Sequence, residues 1–455
     1  MKSYMIPPGP KAAPFIGNLA EFGRDPLGFV SMCAKQYGDV VKIRVEKDRD
    51  TYLINHPSYI EYVLANTNRV FSKGYHRDPI MRLVLGNGLI TSEGEFWMRQ
   101  RRLSQPAFHH KRIANYADIM VGFTDRMISG WKNQEVHSID EDMMRLTMEI
   151  VCKSLFHIDL REEADEISHS IETLLQEYNV QLTSVFKRIL SLLGLGKIPT
   201  PGDSRLNSAV NQLDSIIYNI IAERRKTPGD RGDLLSMLIE EHDEVDGTHM
   251  TDKQLRDEVM SLFLAGHETT ANTLSWTWYF LAQNPSIEQK LMSEIQHVLN
   301  GRLPTFEDLP QLKYVEQVVK EVMRLRPPVW WISREANQDC EIGEFHIPAG
   351  SEIGISQWVM HHDPKYFEDP LTFKPERWDN RENREKHLPK YAYFPFGGGP
   401  RVCIGNQFAM MEAILLVATI AQRFQLELVN DHPVALEPSI TLRPKDGIKM
   451  ILRMR

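Results

Sequence analysis

Apolar positions along this chain recur mostly at three- and four-residue intervals, the period of a helix with one buried face. That period dominates from roughly Pro57 to Leu325. Two short stretches near the N-terminus break it. Val40–Val45 and Thr51–Asn55 alternate like paired strands, with Lys47–Asp50 at the turn between them. Strand-like, turn-rich sequence returns over Pro327–Ile355, and a polar meander punctuated by proline follows from His361 to Pro395. Thr251 and Asp252 offer an N-cap for a helix that runs to about Gln283, and Asn406–Phe424 reads as an apolar helix. Segment 191–206, rich in glycine and proline, predicts a mobile loop between two helices. Pro7–Pro10 is a stiff lead-in. No repeat or low-complexity linker divides the sequence. The pattern predicts a mainly α fold in one domain over 1–455, with a helical core at roughly 61–326 and 406–424 and a small β-rich region at roughly 35–60 and 327–360.

Composition narrows the function classes. A chain of 455 residues with 42% hydrophobic and 25% charged residues has ample material for a core. Its net charge of −8 argues against a nucleic-acid binder. The longest apolar run, Ala413–Ala421, is about half of what a membrane span needs, and the N-terminus carries no signal region. Cys33, Cys152, Cys340 and Cys403 are widely spaced without a CxxC pair, which suits a reducing compartment and excludes a zinc ribbon. The expectation is a soluble cytoplasmic monomer with no membrane span.

Chemistry is concentrated in four short motifs. In Phe396-Gly-Gly-Gly-Pro-Arg401-Val-Cys403-Ile-Gly405 the glycines allow a tight turn and close approach to a flat ligand. Backbone N–H groups and the following helix start favour a thiolate at Cys403, and Arg401 offers a fixed cation. A lone cysteine is ordinarily a small buried hydrophobe, but this frame points to a metal-bound sulfur. The second motif is Ala265-Gly266-His267-Glu268-Thr269-Thr270, inside the long predicted helix. Leu262, Ala265, Gly266, Thr269 and Thr273 share one face whose small middle would admit something flat. Gly266 invites a local opening of the helix, at a cost of about 1 kcal/mol. Thr269 and Glu268 form an alcohol–acid pair that could relay protons. The same residues read equally well as a kink with Thr269 bonded back to its own turn. A zinc-protease HExxH is excluded, because the second histidine position is Ala271. The third motif pairs Glu321 with Arg324 one helical turn apart, upstream of Pro375-Glu-Arg377-Trp378; such pairs are ordinarily solvated and weak. In the fourth, Trp97 and Arg101 lie four apart on one helix face, suited to gripping a carboxylate or to a half-buried surface helix.

In type, order and approximate separation these motifs resemble those of the cytochrome P-450 family, heme-thiolate monooxygenases, of the soluble bacterial type. The resemblance implies that family's helical fold, with heme b held through its iron by Cys403. It also implies heme contacts from Trp97, Arg101, Ala265, Gly266, Arg334, Phe396, Arg401 and Gly405, and oxygen activation by Thr269 and Glu268. Glu321, Arg324 and Arg377 would lock the meander behind the heme, with Trp378 standing where the family usually has Phe. The implied reaction inserts one oxygen of O2 into a hydrophobic small molecule. No flavin or nicotinamide region follows the Cys403 loop, so a ferredoxin or flavodoxin with its reductase is expected to supply electrons. The five Lys and Arg without a single acid from Phe96 to Ala117 suggest its docking face, or merely a solvated helix. The pocket is expected from Ile80–Thr91, the helix pair at roughly 170–206, Val329–Ile332 and Ile440–Thr441, although Trp330 and Trp331 could equally be core. Fatty-acid or similar lipid hydroxylation is the expected activity. A terpenoid or steroid hydroxylase, a peroxide-driven peroxygenase and a non-catalytic heme-thiolate sensor are the alternatives.

Overall fold

A computed structural model of the chain describes residues 5–14, 16–45, 49–158, 164–183, 201–227, 229, 231–240, 249–379, 388–429 and 434–455. Helix dominates them, as the apolar period requires. Strands β1 (Val40–Ile43), β2 (Thr51–Ile54), β3 (Phe71–Ser72), β4 (Ile332–Ala336) and β5 (Glu352–Ile355) form one sheet in the order β1-β2-β5-β4-β3. β1 and β2 pair antiparallel within two residues of the expected bounds, while β2 runs parallel to β5 with Thr51 opposite Glu352. Part of the expected turn at Lys47–Asp50 lies outside the described residues. Leu53, Ile54, Ile353 and Ile355 are fully buried, so this sheet is covered on both faces. A hairpin of β6 (Leu436–Pro438) and β7 (Leu442–Pro444) stands apart. A further sheet of Val136–Ser138, Lys449–Met454 and Phe424–Leu428 lies outside the expected β-rich stretches. Its strands are far apart in the chain, one of them inside the expected helical core, so no local pattern announces the sheet.

The helices that shape the interior are α1 (Pro79–Leu85), α2 (Gly94–Ser104), α3 (His110–Ser129), α4 (Ile139–Phe156), α5 (Ala164–Thr183), α6 (Pro201–Lys226), α7 (Asp252–Gln283), α8 (Lys313–Leu325) and α9 (Asn406–Arg423). α6 corrects one expectation: residues 201–206 are helical, because Pro201 occupies a first turn where its missing N–H costs nothing. Residues 191–200 of the expected loop lie outside the described residues. α7 begins at a capping box in which Gln254 N–H donates to Thr251 Oγ1 (3.2 Å) and Thr251 N–H to Gln254 Oε1 (2.8 Å). It runs unbroken through Gly266, so the expected opening is absent. The glycine serves packing instead. A Cβ there would lie 3.1 Å from Val151 Cγ2 of α4, and beside it Thr147 Oγ1 donates to the His267 carbonyl (3.0 Å). No described helix is long and apolar enough to cross a membrane.

Glu321 on α8 is the polar hub of this interior. It and Arg324 are fully buried, unlike the solvated pair that their spacing alone suggests. Glu321 Oε1 accepts from Arg324 Nη2 (2.8 Å), Arg377 Nε (2.8 Å) and the Lys374 N–H (3.0 Å). Oε2 accepts from Arg324 Nε (2.9 Å) and Trp378 Nε1 (2.9 Å). The indole supplies a donor that phenylalanine lacks, which gives the departure at Trp378 a physical function. Arg324 also donates to the carbonyls of His361 (2.8 Å), Pro370 (2.7 Å) and Thr372 (3.2 Å). A buried pair so fully satisfied fixes the meander to α8.

The loop after α1 is tied to the first turns of α7. Asn87 N–H donates to Asp257 Oδ2 (2.9 Å) and Leu89 N–H to Glu258 Oε2 (3.0 Å). Burial pushes the Glu258 carboxyl up to about 8, the Leu89 N–H opposing and Asp257 adding to the rise.

Two expectations follow. Glu321→Ala strands two buried guanidinium groups and should cost about 3–5 kcal/mol, read from the urea midpoint of unfolding. For Glu258, the folded chain holds a proton that the unfolded chain has already released between its ordinary 4.5 and about 8. Stability should therefore fall as pH rises through that window, by up to about 5 kcal/mol, then level off. Glu258→Gln should flatten this slope in thermal unfolding, and an unchanged slope would assign it to other groups.

Candidate active site

Cys403 lies in the loop before α9, where the chain turns so tightly that glycine is required. Gly397 (φ +69°) and Gly399 (φ +66°) are left-handed, and a Cβ on Gly399 would lie 2.1 Å from the Leu64 carbonyl oxygen. Gly405 differs from expectation: its φ is −91°, and a Cβ there would make only an ordinary contact with Phe108. Its contribution is its backbone N–H, which points at the Cys403 sulfur. Cys403 N–H donates to the Phe396 carbonyl (3.0 Å), closing the loop. Burial pushes the Cys403 thiol up, while the Gly405 N–H, Arg101 and Lys73 favour its thiolate. Cys33, Cys152 and Cys340 are buried thiols, pushed up by burial, whereas Cys403 is exposed to the interior cavity.

That cavity, about 860 Å³, is bounded by Cys403, Phe396 and Arg401 on one side and by α7 on the other. Leu262, Ala265, Gly266, Thr269 and Thr273 all line it, so the face read from helical spacing is the face presented. Ile80, Met81, Ile90, Val329, Trp330, Trp331, Ile332 and Ile440 line it from the expected segments, with Tyr178 from α5. Trp330 is at once lining and core: it is 7% exposed, and its Nε1 donates to the Ser439 carbonyl (2.9 Å).

Four cations gather around the Cys403 loop, of which Lys73, Arg334 and Arg401 line the cavity. Arg401 is stacked over the Trp97 ring at 4.0 Å and donates to Glu93 Oε2 (2.6 Å) and Asn68 Oδ1 (3.0 Å), leaving a buried Nη1 without a partner among the described residues. Arg334 donates to Thr67 Oγ1 (3.1 Å) and its neighbour's carbonyl (2.8 Å). Arg101 Nη1 donates to the Val402 carbonyl (2.9 Å), clamping α2 onto the Cys403 loop. Lys73, which sequence reasoning missed, is the fourth, and Glu93, also missed, is the carboxylate set against them. Burial pushes Arg334 and Arg401 down to about 10. Burial and the two guanidinium groups hold Lys73 well below the usual lysine range. A buried excess of positive charge, with an orphaned Arg401 N–H, fits a planar cofactor carrying carboxylates at one edge. Among the described residues no cluster of three or more His, Cys, Asp and Glu could hold a bare metal ion.

On α7 the two expected catalytic side chains diverge. Thr269 faces the cavity while its Oγ1 donates to the Ala265 carbonyl (2.9 Å), the back-bonded arrangement that the sequence also allowed. Glu268 is buried and accepts from Thr441 Oγ1 (2.6 Å) beside β7, and Asn272 Nδ2 donates to that same hydroxyl (3.1 Å). Burial pushes the Glu268 carboxyl up, with Thr441 and Arg443 opposing. Thr441, expected as pocket lining, is thus a partner of the acid.

A sequence model of cytochrome P-450 matches residues 7–452. The cyclooctat-9-en-7-ol 5-monooxygenase of Streptomyces melanosporofaciens is 38% identical over 423 residues, covering 92% of this chain and 89% of the relative. The pentalenene oxygenase of Streptomyces avermitilis is 31% identical over 430 residues, with 94% and 93% covered. Among solved structures, a retinoic acid-bound cyanobacterial CYP120A1 superposes with a TM-score of 0.87 at 26% identity, covering 100% of both chains.

The cation cluster yields a test with opposite signs for the empty and loaded protein. Arg334→Gln removes one of several crowded positive charges, so the heme-free chain should unfold at an equal or higher urea concentration. On the expectation that Arg334 meets a cofactor carboxylate, heme should nevertheless transfer from the variant to an excess of apomyoglobin about tenfold faster or more, the worth of one charge-assisted contact.

Proposed function

This chain belongs to the cytochrome P-450 family, and from that monooxygenase chemistry we propose that it hydroxylates a cyclic terpenoid. The observation that carries the substrate class is the kinship with the cyclooctat-9-en-7-ol and pentalenene oxygenases, joined to a broad cavity walled by aromatic and branched side chains. Both relatives are named for cyclic terpenoids, so this alternative displaces the fatty acid expected from the sequence as the leading reading.

In this reading Cys403 would ligate the iron of heme b, α7 and the Cys403 loop would flank it, and Lys73, Arg101, Arg334 and Arg401 would meet its carboxylates. Trp97 acts mainly as the surface on which Arg401 rests. When bound, the heme supplies dioxygen activation, in which two electrons and two protons leave one oxygen in the substrate C–H bond and the other in water. The chain's own residues do the rest. Ala265 and Gly266 keep the α7 face flat enough for the cofactor plane. Ile80, Met81, Leu262 and Ile332 exclude water and hold the hydrocarbon by apolar contact. Glu268, its carboxyl raised by burial, holds a proton next in sequence to Thr269. Releasing Thr441 frees that carboxyl to turn toward the Thr269 hydroxyl, which then passes protons into the cavity. A redox protein such as a ferredoxin or flavodoxin would dock at the depression formed by Trp97, Met98, Arg101, Arg102, Ile404 and Gln407, on the outer side of the Cys403 loop.

The test is an optical titration of the heme-loaded protein with cyclic sesquiterpenes and diterpenes alongside a fatty-acid series. Saturable shifts of the Soret band to shorter wavelength are expected with the terpenes. Shifts with fatty acids alone would overturn the substrate class, and the lack of any thiolate-heme spectrum after heme supplementation would overturn the whole reading.

A further inference from the structure

One polar pair interrupts the apolar wall of the cavity away from the cation cluster. Tyr178 on α5 and Asp78 at the start of α1 both line it, among Ile80, Met81, Leu155 and Leu262. Tyr178 Oη donates to Asp78 Oδ2 (2.9 Å), while Asp78 Oδ1 caps α1 by accepting from the N–H groups of Ile80 (3.1 Å) and Met81 (2.9 Å). The carboxylate is therefore fixed by its own helix. Its second oxygen fixes the phenol proton in turn, and burial together with Asp78 pushes Tyr178 well up, so that proton stays in place. No described residue donates to Tyr178 Oη. A phenol that has committed its proton to a carboxylate is a strengthened acceptor, because the two bonds polarise each other.

We infer that Tyr178, oriented by Asp78, is a hydroxyl-recognition subsite that accepts a hydrogen bond from an alcohol already present on the substrate. The inference rests on the terpenoid reading and narrows it to a terpene alcohol. A hydrocarbon can still enter, because Tyr178 keeps Asp78 as its partner when nothing donates to it. Discrimination is then the worth of one hydrogen bond, about tenfold, rather than the far larger penalty of stranding a buried polar group. A ligand whose oxygen can only accept gains nothing here, since Tyr178 has no second proton to give.

The experiment is a spin-shift titration of the heme-loaded protein with three ligands on one skeleton: cedrol, its methyl ether and the hydrocarbon cedrane. The wild-type protein should bind cedrol about tenfold more tightly than the ether or cedrane. Tyr178→Phe, which keeps the ring, should weaken cedrol by the same factor and leave cedrane unchanged. Equal wild-type affinities for the three would overturn the subsite while leaving the terpenoid reading intact. So would a Tyr178→Phe protein that weakens all three alike. Failure of all three to shift the spectrum, with fatty acids shifting it, would remove the terpenoid reading and the subsite together. The wild-type comparison needs no variant, so it stands even if Tyr178→Phe folds poorly.

Discussion

A carboxylate with no access to solvent must find every one of its hydrogen-bond partners inside the protein, and Glu321 does so with five donors. Those donors come from α8 itself and from the meander just before the Cys403 loop. The described part of the meander is held both by buried aromatic side chains, among them Phe367, Phe373 and Phe394, and by these polar contacts, which are strong because they are buried. The Cys403 loop follows within about two dozen residues of Trp378, and Tyr393 Oη ties the intervening chain to the Lys320 carbonyl (2.9 Å). The sulfur's place opposite α7 thus leans on a salt-bridge network whose residues do not line the cavity.

The second organising constraint is charge. Lys73, Arg101, Arg334 and Arg401 come from four separate parts of the chain, and one carboxylate, Glu93, is set against Lys73, Arg334 and Arg401. Mutual repulsion between buried cations is costly unless something negative joins them. A cofactor with acidic substituents therefore completes the electrostatics of the fold as well as supplying its chemistry.

Legibility followed the range of the interaction. Features written in local spacing were readable: the α7 N-cap at Thr251, the flat face from Leu262 to Thr273, the β1–β2 pairing and the Cys403 frame. Contacts between distant segments were not. Nothing near Lys73 or Glu93 marks them as neighbours of Cys403, and nothing in Ile440–Thr441 shows that Thr441 turns away from the pocket to hold Glu268. The pair Asp78–Tyr178 is likewise invisible, since the two residues lie 100 positions apart on different helices. Helical spacing gave the face of Thr269 but not where its hydroxyl bonds, because a back-bond to Ala265 and a bond into the cavity share one backbone position. The glycines divide in the same way. Gly399 is demanded by its own φ, whereas Gly266 is demanded by a neighbouring helix that the sequence around it does not mention.

The parallel pairing of β2 with β5 carries a consequence for how the molecule is made. Thr51 and Glu352 are adjacent in the sheet but 301 positions apart in the chain. At ordinary elongation rates of about 5–20 residues per second, the β1–β2 ribbon must wait roughly 15–60 seconds on the ribosome before its neighbour exists. Throughout that interval its Tyr52–Ile54 edge, destined for full burial, is an open template for any other strand. Biogenesis of this enzyme is therefore expected to depend on chaperone cover during translation, with the N-terminal ribbon as the segment most in need of it.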